Sequence, residues 1–280
     1  MTRQAANLDW QALGALGWDA AADAFNRCYQ HYVVPVHATG AELAARCRAE
    51  AVDPALSYVL RDDGGPVGVA LVARRGVRAR LAAFAIAPRA RGKGMARPIL
   101  ARLLSECDAR GDDAIELEVF EHNVPAVRLY AGQGFRRVDR LFGFRIVTPG
   151  ATAAEPVERP LGEFAERLAR DPVESLPWQL QPETLAGLAA PWRVLATSEA
   201  SYALADLSQA DAVAVRLVYT APDQRRRGHA RALLAAIGRL AGGRPVVAPQ
   251  LVPEALAPAA LALGCMPAEH AQLRMLRRRP

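Results

Sequence analysis

The chain carries one segment pattern twice, and this repeat constrains the fold more than any other feature of the sequence. Residues 86–100 read IAPRARGKGMARPIL, and residues 220–234 read TAPDQRRRGHARALL. Both segments place Ala-Pro, Arg, Gly and Ala at the same spacing, ahead of an aliphatic stretch of helical character. The two copies lie 134 positions apart. A repeat of this length indicates duplicated domains, because the repeat units of solenoids are no longer than about 50 residues.

The bulk properties of the chain agree with two globular domains. It has 280 residues, of which 51% are hydrophobic and 23% charged, and domains of about 140 residues are common. We find no signal-peptide pattern and no apolar run approaching about 18 residues, so we expect a cytoplasmic protein without a membrane partner. The four cysteines are far apart and have no histidine nearby at ligand spacing. The sequence therefore predicts neither a disulfide framework nor a metal site.

The net charge of +6 is weak evidence for a nucleic-acid partner. Lys93 is the only lysine among 35 cationic residues, and a preference for arginine accompanies GC-rich coding sequences whatever the function. Aromatic residues amount to 6% of the chain and do not alternate with the arginines. Helix-turn-helix and zinc-module patterns are absent from the sequence as well. We therefore expect no nucleic-acid partner.

The hydrophobic periodicity of the first half predicts helices and strands in a definite order. Two helices, over residues 19–31 and 40–50, come first, and Thr39–Leu43 supplies the second with an N-cap. A hairpin with its turn at Asp62–Pro66 and a third strand follow. The pattern then predicts a helix over 94–110, a strand over 114–120, a short helix that ends at Gly132 and Gly134, and one or two closing strands up to residue 147.

A proline-rich segment separates the two halves. Residues 148–160 read TPGATAAEPVERP, which is typical of a linker. The same order of elements begins again after it, with strands up to residue 222, a helix over 228–241, another strand and a short helix over 254–263. We predict a first domain over 1–148, a linker over 149–160 and a second domain over 161–280.

The repeated segment has the chemistry of an anion site. A strand leads into Arg-x-x-Gly-x-Ala and a helix follows, so the first turn of that helix offers backbone N–H groups that lack acceptors. Small residues admit an anion close to the backbone, and the neighbouring cations favour a diphosphate. The segment lacks the spacing of a P-loop and the third glycine of a dinucleotide fingerprint. The alternative is a solvated arginine-rich turn, which the duplication makes less plausible.

Two motifs of the first half resemble the GNAT superfamily of N-acetyltransferases. The first, Arg91-x-x-Gly94-x-Ala96 between a strand and a helix, is similar to the acyl-CoA diphosphate loop of that family. The second is the segment EVFEHNVPAVRLYAGQGF over residues 118–135, which is similar to the family's strand followed by Asn-x-x-Ala-x-x-Leu-Tyr and Gly-Phe. The resemblance covers most of residues 20–147.

The duplicated arrangement resembles bacterial tandem GNAT proteins. This implies an α/β (α+β) fold with two tandem GNAT-like domains, each a mixed, mostly antiparallel sheet flanked by helices. It also implies the residues that bind the co-substrate acetyl-CoA. Phe84, Ala85 and Ile86 would pair their backbone with the pantetheine arm, and the Ile86 N–H would face the thioester carbonyl. The diphosphate would lie against Arg91, Gly92, Lys93, Gly94, Met95 and Ala96.

Tyr130 is the candidate proton donor. A phenol with the ordinary pKa of about 10 is protonated at neutral pH and can donate to a departing thiolate. The alternative is a core tyrosine on a short helix. The resemblance gives Asn123 a bond to the cofactor arm, although a helix N-cap before Pro125 suits it equally well.

Glu118 is the candidate base. Alternation in IELEVF puts Glu116 and Glu118 on one face of a strand, where a carboxylate can take the proton of an amine. Some family members that modify protein N-termini have a Glu at this position. The alternative is a solvated strand face, and His122 is a second candidate, since its unperturbed pKa is near 6.5.

The second copy keeps the loop and loses the chemistry. Arg225, Gly228 and Ala230 repeat the first loop, but Arg226 replaces its first glycine, and Arg227 and His229 fill the positions between. Counting back from Gly264, the proton donor is replaced by an alanine; the counterparts of Tyr130, Asn123 and Phe135 are Ala260, Pro253 and Cys265. We expect this domain to bind acyl-CoA weakly or not at all.

The sequence thus predicts an acetyl-CoA-dependent N-acetyltransferase that moves an acetyl group to a primary amine by direct attack, with its active site in the N-terminal domain. The alternative is a non-catalytic acyl-CoA-binding or regulatory protein. The acceptor, a small-molecule or peptide amine, is open, and so is the oligomeric state, a homodimer included. The segment NRCYQHYVVPVHATGAEL, residues 26–43, is expected to form part of the acceptor side.

Overall fold

The computed structural model describes residues 8–147, 154–171, 173 and 176–279. It divides into two compact units. The first spans Met1–Val138 and Leu273–Pro280, and the second spans Asp139–Gln272. The domain limits predicted at residues 148 and 161 stay a prediction. Residues 148–153 of the predicted linker lie outside the described residues, and Val157–Arg159, within that linker, form a strand.

The first unit is built on a mixed sheet. Strands β1 to β4 follow one another in antiparallel order, and β5 pairs with β4 in parallel. The apolar runs that predicted β3 and β4 are buried over most of their length, at residues 67–73 and 79–83. The strands are β1 Asp9–Ala12, β2 Tyr58–Asp62, β3 Gly65–Arg75, β4 Arg78–Ile86 and β5 Ala114–Phe120.

Helices cover this sheet. The predicted N-cap of the second helix is confirmed, since Thr39 and Glu42 form a capping box. The third helix packs Ile99, Leu100 and Leu103 into a core shared with Val119 of β5. The helices are α1 Trp18–Cys28, α2 Gly40–Ala49, α3 Ala96–Ala109 and α4 Val124–Ala131, close to the limits predicted from the periodicity.

The C-terminal segment of the chain belongs to the first unit. Strand β12, Met266–Arg278, follows β5 in the order of the sheet, and its residues from Leu273 onward are counted with the first unit. Met275 is buried in the same core as the third helix. Three arginines of the segment form ion pairs with acidic residues of the first unit, namely Arg274 with Glu116, Arg277 with Asp108 and Arg279 with Asp113.

The second unit repeats the plan of the first. Its strands lie in the order β6-β11-β10-β9-β8-β7. Strand β10 pairs with β11 in parallel, and the pairs β6–β11, β9–β10, β8–β9 and β7–β8 are antiparallel. The strands are β6 Arg136–Ile146, β7 Val157–Arg159, β8 Trp192–Ser198, β9 Ser201–Asp206, β10 Val213–Thr220 and β11 Val246–Pro253. The helices are α5 Leu161–Arg170, α6 Pro182–Ala186, α7 His229–Ala241 and α8 Ala257–Ala262.

The predicted fold class is therefore confirmed. Each unit is a mixed, mostly antiparallel sheet with helices packed on it. Cys28, Cys47, Cys107 and Cys265 are free thiols and all are buried. Among the helices of the described residues, none is long and apolar enough to cross a membrane.

Candidate active site

Strands β4 and β5 separate after a short parallel pairing, and the candidate site lies in the first unit at this gap. They pair only where Arg78–Arg80 faces Ala114–Glu116, although β4 continues to Ile86 and β5 to Phe120. The register of β3 on β4 shifts between Leu71 and Val72, so that Ala82 is an extra, bulged residue. The bulged Ala82 lies two residues after Arg80, the last β4 residue that pairs with β5, where the gap begins.

Beyond the bulge, one edge of β4 points its backbone groups into the gap. Ala87 N–H donates to the Val67 carbonyl at 2.8 Å, so in this antiparallel ladder the odd residues bond to β3. The backbone N–H and carbonyl of Ala85 therefore bond to β3, whereas the backbone groups of Phe84 and Ile86 point away from β3. Backbone polar groups inside a protein need partners, and β5 does not supply them here.

Two arginine side chains reach this edge. Arg46 Nη2 donates to the Ala82 carbonyl at 2.8 Å, and Arg91 Nε donates to the Ile86 carbonyl at 2.9 Å. The same Arg91 guanidinium donates to the carbonyls of Gln30 at 2.7 Å and Cys28 at 3.2 Å, at the end of α1. The side chain of Arg91 thus joins the edge of β4 to α1 and the residues after it, while its backbone begins the loop.

The loop between β4 and α3 presents a row of amides. Over the described residues, the structure gives the backbone N–H groups of Gly92–Ala96 no hydrogen-bond acceptor. Gly92 and Gly94 have φ of 75° and 72°, and a Cβ on either would meet nothing within 4 Å. Glycine is therefore required for the left-handed backbone and not for space. Met95 is buried and anchors the loop in the core, whereas Lys93 and Arg97 are exposed.

Tyr130 lies in the core that lines the gap. It is 6% exposed, its ring packs edge-on against Phe135, and Phe84 and Ile86 border the same core. Burial raises the pKa of Tyr130, and the neighbouring Tyr29 and Tyr32 raise it further. The phenol is therefore protonated at neutral pH.

Asn123 caps the fourth helix. Its side-chain oxygen accepts from the Ala126 N–H at 3.3 Å, ahead of Val124–Ala131. The N-cap role foreseen from the sequence is confirmed. A bond from Asn123 to the cofactor arm stays a prediction.

Aromatic rings continue from the first helix across to β5. Phe25, Tyr29 and Tyr32 form successive ring contacts at 4.5 Å and 5.1 Å, and Tyr32 continues to Phe120 at 6.2 Å. A groove of about 560 Å³ opens beside this row. Apart from Asp23, its lining residues belong to 26–43, the segment expected on the acceptor side. Besides Tyr29 and Tyr32, the lining includes Asn26, Arg27, Gln30, His31 and His37.

Glu118 is not presented to the solvent. Its two carboxylate oxygens accept from Arg80, the shortest bond being 2.7 Å from Nη2 to Oε2, and its side chain is 5% exposed. Glu116 shares its face of β5, as the alternation predicted, and pairs with Arg78 and Arg274. The alternative of a solvated strand face is therefore wrong. Glu118 as the base stays a prediction.

The Arg80 guanidinium also pairs with a second carboxylate, that of Glu50. Its Nη1 donates to Glu50 Oε2 at 2.7 Å, and Arg46 Nε donates to Glu50 Oε1 at 3.2 Å. Burial alone lowers the pKa of Arg80, but Glu118 and Glu50 outweigh it, so that its pKa is raised. The sequence does not single out Arg46, Glu50 or Arg80, because no local motif connects the end of a helix with the middle of a strand.

The second unit reproduces the backbone of this site. Strand β10 pairs with β11 only at Val213 and Ala214, and Arg216 is bulged where Ala82 is in the first unit. Arg225 Nε donates to the Thr220 carbonyl at 3.2 Å, the counterpart of the bond from Arg91 to Ile86. Arg226 takes φ of 63° in place of Gly92.

Comparison with known proteins agrees with this geometry. Residues 18–135 match the model of the acetyltransferase (GNAT) family. The chain as a whole has the fold of a tandem GNAT protein. A GCN5-related N-acetyltransferase from Sphaerobacter thermophilus superposes with a TM-score of 0.66 at 18% identity, covering 98% of this chain and 96% of that one.

Two more solved structures share the fold of the whole chain. A tandem GNAT protein from the clavulanic acid biosynthesis pathway superposes with a TM-score of 0.69 at 14% identity, covering 98% of this chain and 99% of that one. A GCN5-related N-acetyltransferase from Kribbella flavida gives 0.56 at 17% identity, covering 97% and 71%. At such identities the likeness concerns the fold alone.

Proposed function

We propose that this tandem GNAT protein is an acetyl-CoA-dependent N-acetyltransferase whose active site is the gap between β4 and β5 in the first unit. The observation that carries the proposal is a continuous run of backbone groups that no neighbouring strand pairs. The edge of Phe84 and Ile86 that faces the gap leads, past the turn at Pro88–Ala90, into the row of amides at Gly92–Ala96. A ligand with an extended amide-containing arm and a diphosphate matches both parts.

The arm of coenzyme A would add to β4 as a strand does. Its amides would exchange hydrogen bonds with Phe84 and Ile86, whose backbone groups point into the gap. The diphosphate would accept from the amides of Gly92–Ala96 at the start of α3. Lys93 and Arg97, exposed on the same loop and first turn, would contribute positive charge.

The chemistry needs an acid at the leaving group. The uncharged amine nitrogen attacks the thioester carbon, the carbon–sulfur bond breaks, the nitrogen releases one proton to water, and the departing thiolate takes up one proton. Tyr130 would supply that proton, since burial keeps its phenol protonated and it lies in the core that borders Phe84 and Ile86. We assign no residue to the base, because Glu118 gives both oxygens to Arg80.

The groove after α1 would receive the acceptor. Tyr29 and Tyr32 line it and are close enough to Tyr130 to raise its pKa, so the groove adjoins the proposed acid. The primary amine of a small molecule or a peptide would enter from this side. The second unit has Ala260 at the position of the acid, and we propose that it does not catalyse the transfer.

A titration and an assay on the full chain test the proposal. Coenzyme A should bind at one site per chain, and acetyl-CoA with a panel of amino acids, polyamines and peptides should release free coenzyme A with at least one acceptor. Release without acceptor measures hydrolysis and is the control. Absence of coenzyme A binding would refute the proposal, and binding without turnover across the panel would favour the acyl-CoA-binding or regulatory alternative.

A further inference from the structure

A chain of four buried or partly buried charges crosses the first unit where β4 and β5 stop pairing. It runs from Glu118 on β5 to Arg80 on β4, then to Glu50 and Arg46 at the end of α2. The side chains of Arg80, Glu50 and Glu118 are 3%, 6% and 5% exposed. We call this set the ion-pair chain.

The ion-pair chain ends on the strand edge that faces the gap. Arg46 uses Nε for Glu50 and Nη2 for the carbonyl of Ala82, the bulged residue. Its other end, Glu118, lies two residues beyond Glu116, the last β5 residue paired with β4. The chain thus connects the two strands through side chains at the point where their backbone ladder stops.

A gap inside a sheet has to be held at a fixed width. Once the ladder ends, backbone hydrogen bonds no longer determine the distance between β4 and β5. Charged hydrogen bonds among buried groups have strict geometry and cost stability when one member is missing. The ion-pair chain therefore supplies the constraint that the backbone lacks, and it acts on Ala82, two residues before Phe84.

The second unit offers an internal comparison. Where Arg80 pairs with Glu116, Ala214 pairs with Val247, and Pro249 stands two residues further on. The unit without the candidate acid thus lacks these charges as well. There the bulged Arg216 lies over the ring of Trp192 at 4.2 Å.

We propose that the ion-pair chain positions the edge of β4 for the arm of coenzyme A, and that Glu118 is a positioning residue in it and not the base. This inference rests on the proposed function, because it assigns the edge to that ligand. Arg46 is the member to change, since its Nη2 donates to the Ala82 carbonyl on the edge. Glu118 acts at a distance, through Arg80 and Glu50.

Binding of coenzyme A to the full chain, measured by calorimetry, is the principal test. Arg46→Met removes both bonds, and the dissociation constant should rise about tenfold, as expected for a lost charged hydrogen bond. Arg46→Lys keeps a charge for Glu50 but cannot span to Ala82, and should also bind more weakly while remaining folded. Arg48→Met, on the same helix and exposed, is the matched control and should bind as the unchanged protein does.

Glu118→Gln separates positioning from base catalysis. A base contacts the acceptor, so its loss would leave coenzyme A affinity unchanged and would remove the acidic limb from the pH profile of kcat. A positioning residue gives the opposite pair of results, a weaker affinity with an unchanged profile. If both Arg46 variants and Glu118→Gln bind coenzyme A as tightly as the unchanged protein does, the inference is overturned. If the unchanged protein does not bind coenzyme A, the proposed function itself fails.

Discussion

The two loops of the repeat share their framework and differ in what it carries. Both follow a bulged strand, both begin with an arginine whose Nε bonds the carbonyl five residues back, and both lead into a helix. The first has Gly92, Tyr130, Arg80 and Glu118, whereas the second has Arg226, Ala260, Ala214 and Pro249 at the corresponding positions. The two units thus share the backbone geometry of the loop and differ in these side chains.

Truncation after Gln272 should have the largest effect on this comparison. It removes the C-terminal segment that buries Met275 in the first unit and pairs with Glu116, Asp108 and Asp113. We expect the first unit to lose its cooperative unfolding transition and the chain to lose coenzyme A binding. Calorimetric unfolding of the two forms checks this. A truncated chain that binds normally would show that the first unit needs no part of the last strand.

Tyr130→Phe should lower kcat by about 100-fold or more, the usual contribution of a general acid. The ring stays in place, so coenzyme A affinity should hardly change. Steady-state rates and a coenzyme A titration measure the two quantities. Ala260→Val, at the corresponding position of the second unit, is the control and should leave kcat unchanged. Equal rates for Tyr130→Phe and the unchanged enzyme would exclude the acid role.

Arg80→Met should destabilise the first unit by about 3 kcal/mol, because it leaves buried carboxylates without their cation. Arg216→Met, which removes a cation from the face of Trp192 in the second unit, should cost about 1 kcal/mol. Urea unfolding curves for both variants give the difference. Similar shifts would mean that the ion-pair chain adds no more stability than one cation–ring contact.

The smallest effects concern the loops themselves. Arg226→Gly should stabilise the second unit by about 1 kcal/mol, since it relieves a left-handed backbone at a residue with a side chain. Gly92→Ala should destabilise the first unit by about the same amount, for the same reason. Thermal unfolding of both variants gives the sign of each change in stability. Shifts in the same direction would contradict the assigned backbone conformations.

The sequence predicted what depends on local pattern. Gly92 and Gly94 mark the loop because few other residues adopt their backbone, and the alternation around Glu118 correctly put it on one face with Glu116. The partners of that face were not predictable. Arg80 meets Glu118 only after two strands pair, and Glu50 reaches them from the end of a helix. Spacing shows that a carboxylate is available, but not that a guanidinium already holds it.

The place of residues 273–279 in the fold has a consequence for how the protein is made. These residues contribute to the first unit, yet they come after the whole second unit in the chain. On the ribosome, the first unit emerges early but acquires its last strand only after the whole second unit has been synthesised. Premature termination anywhere in the second unit therefore leaves the first unit unfinished too.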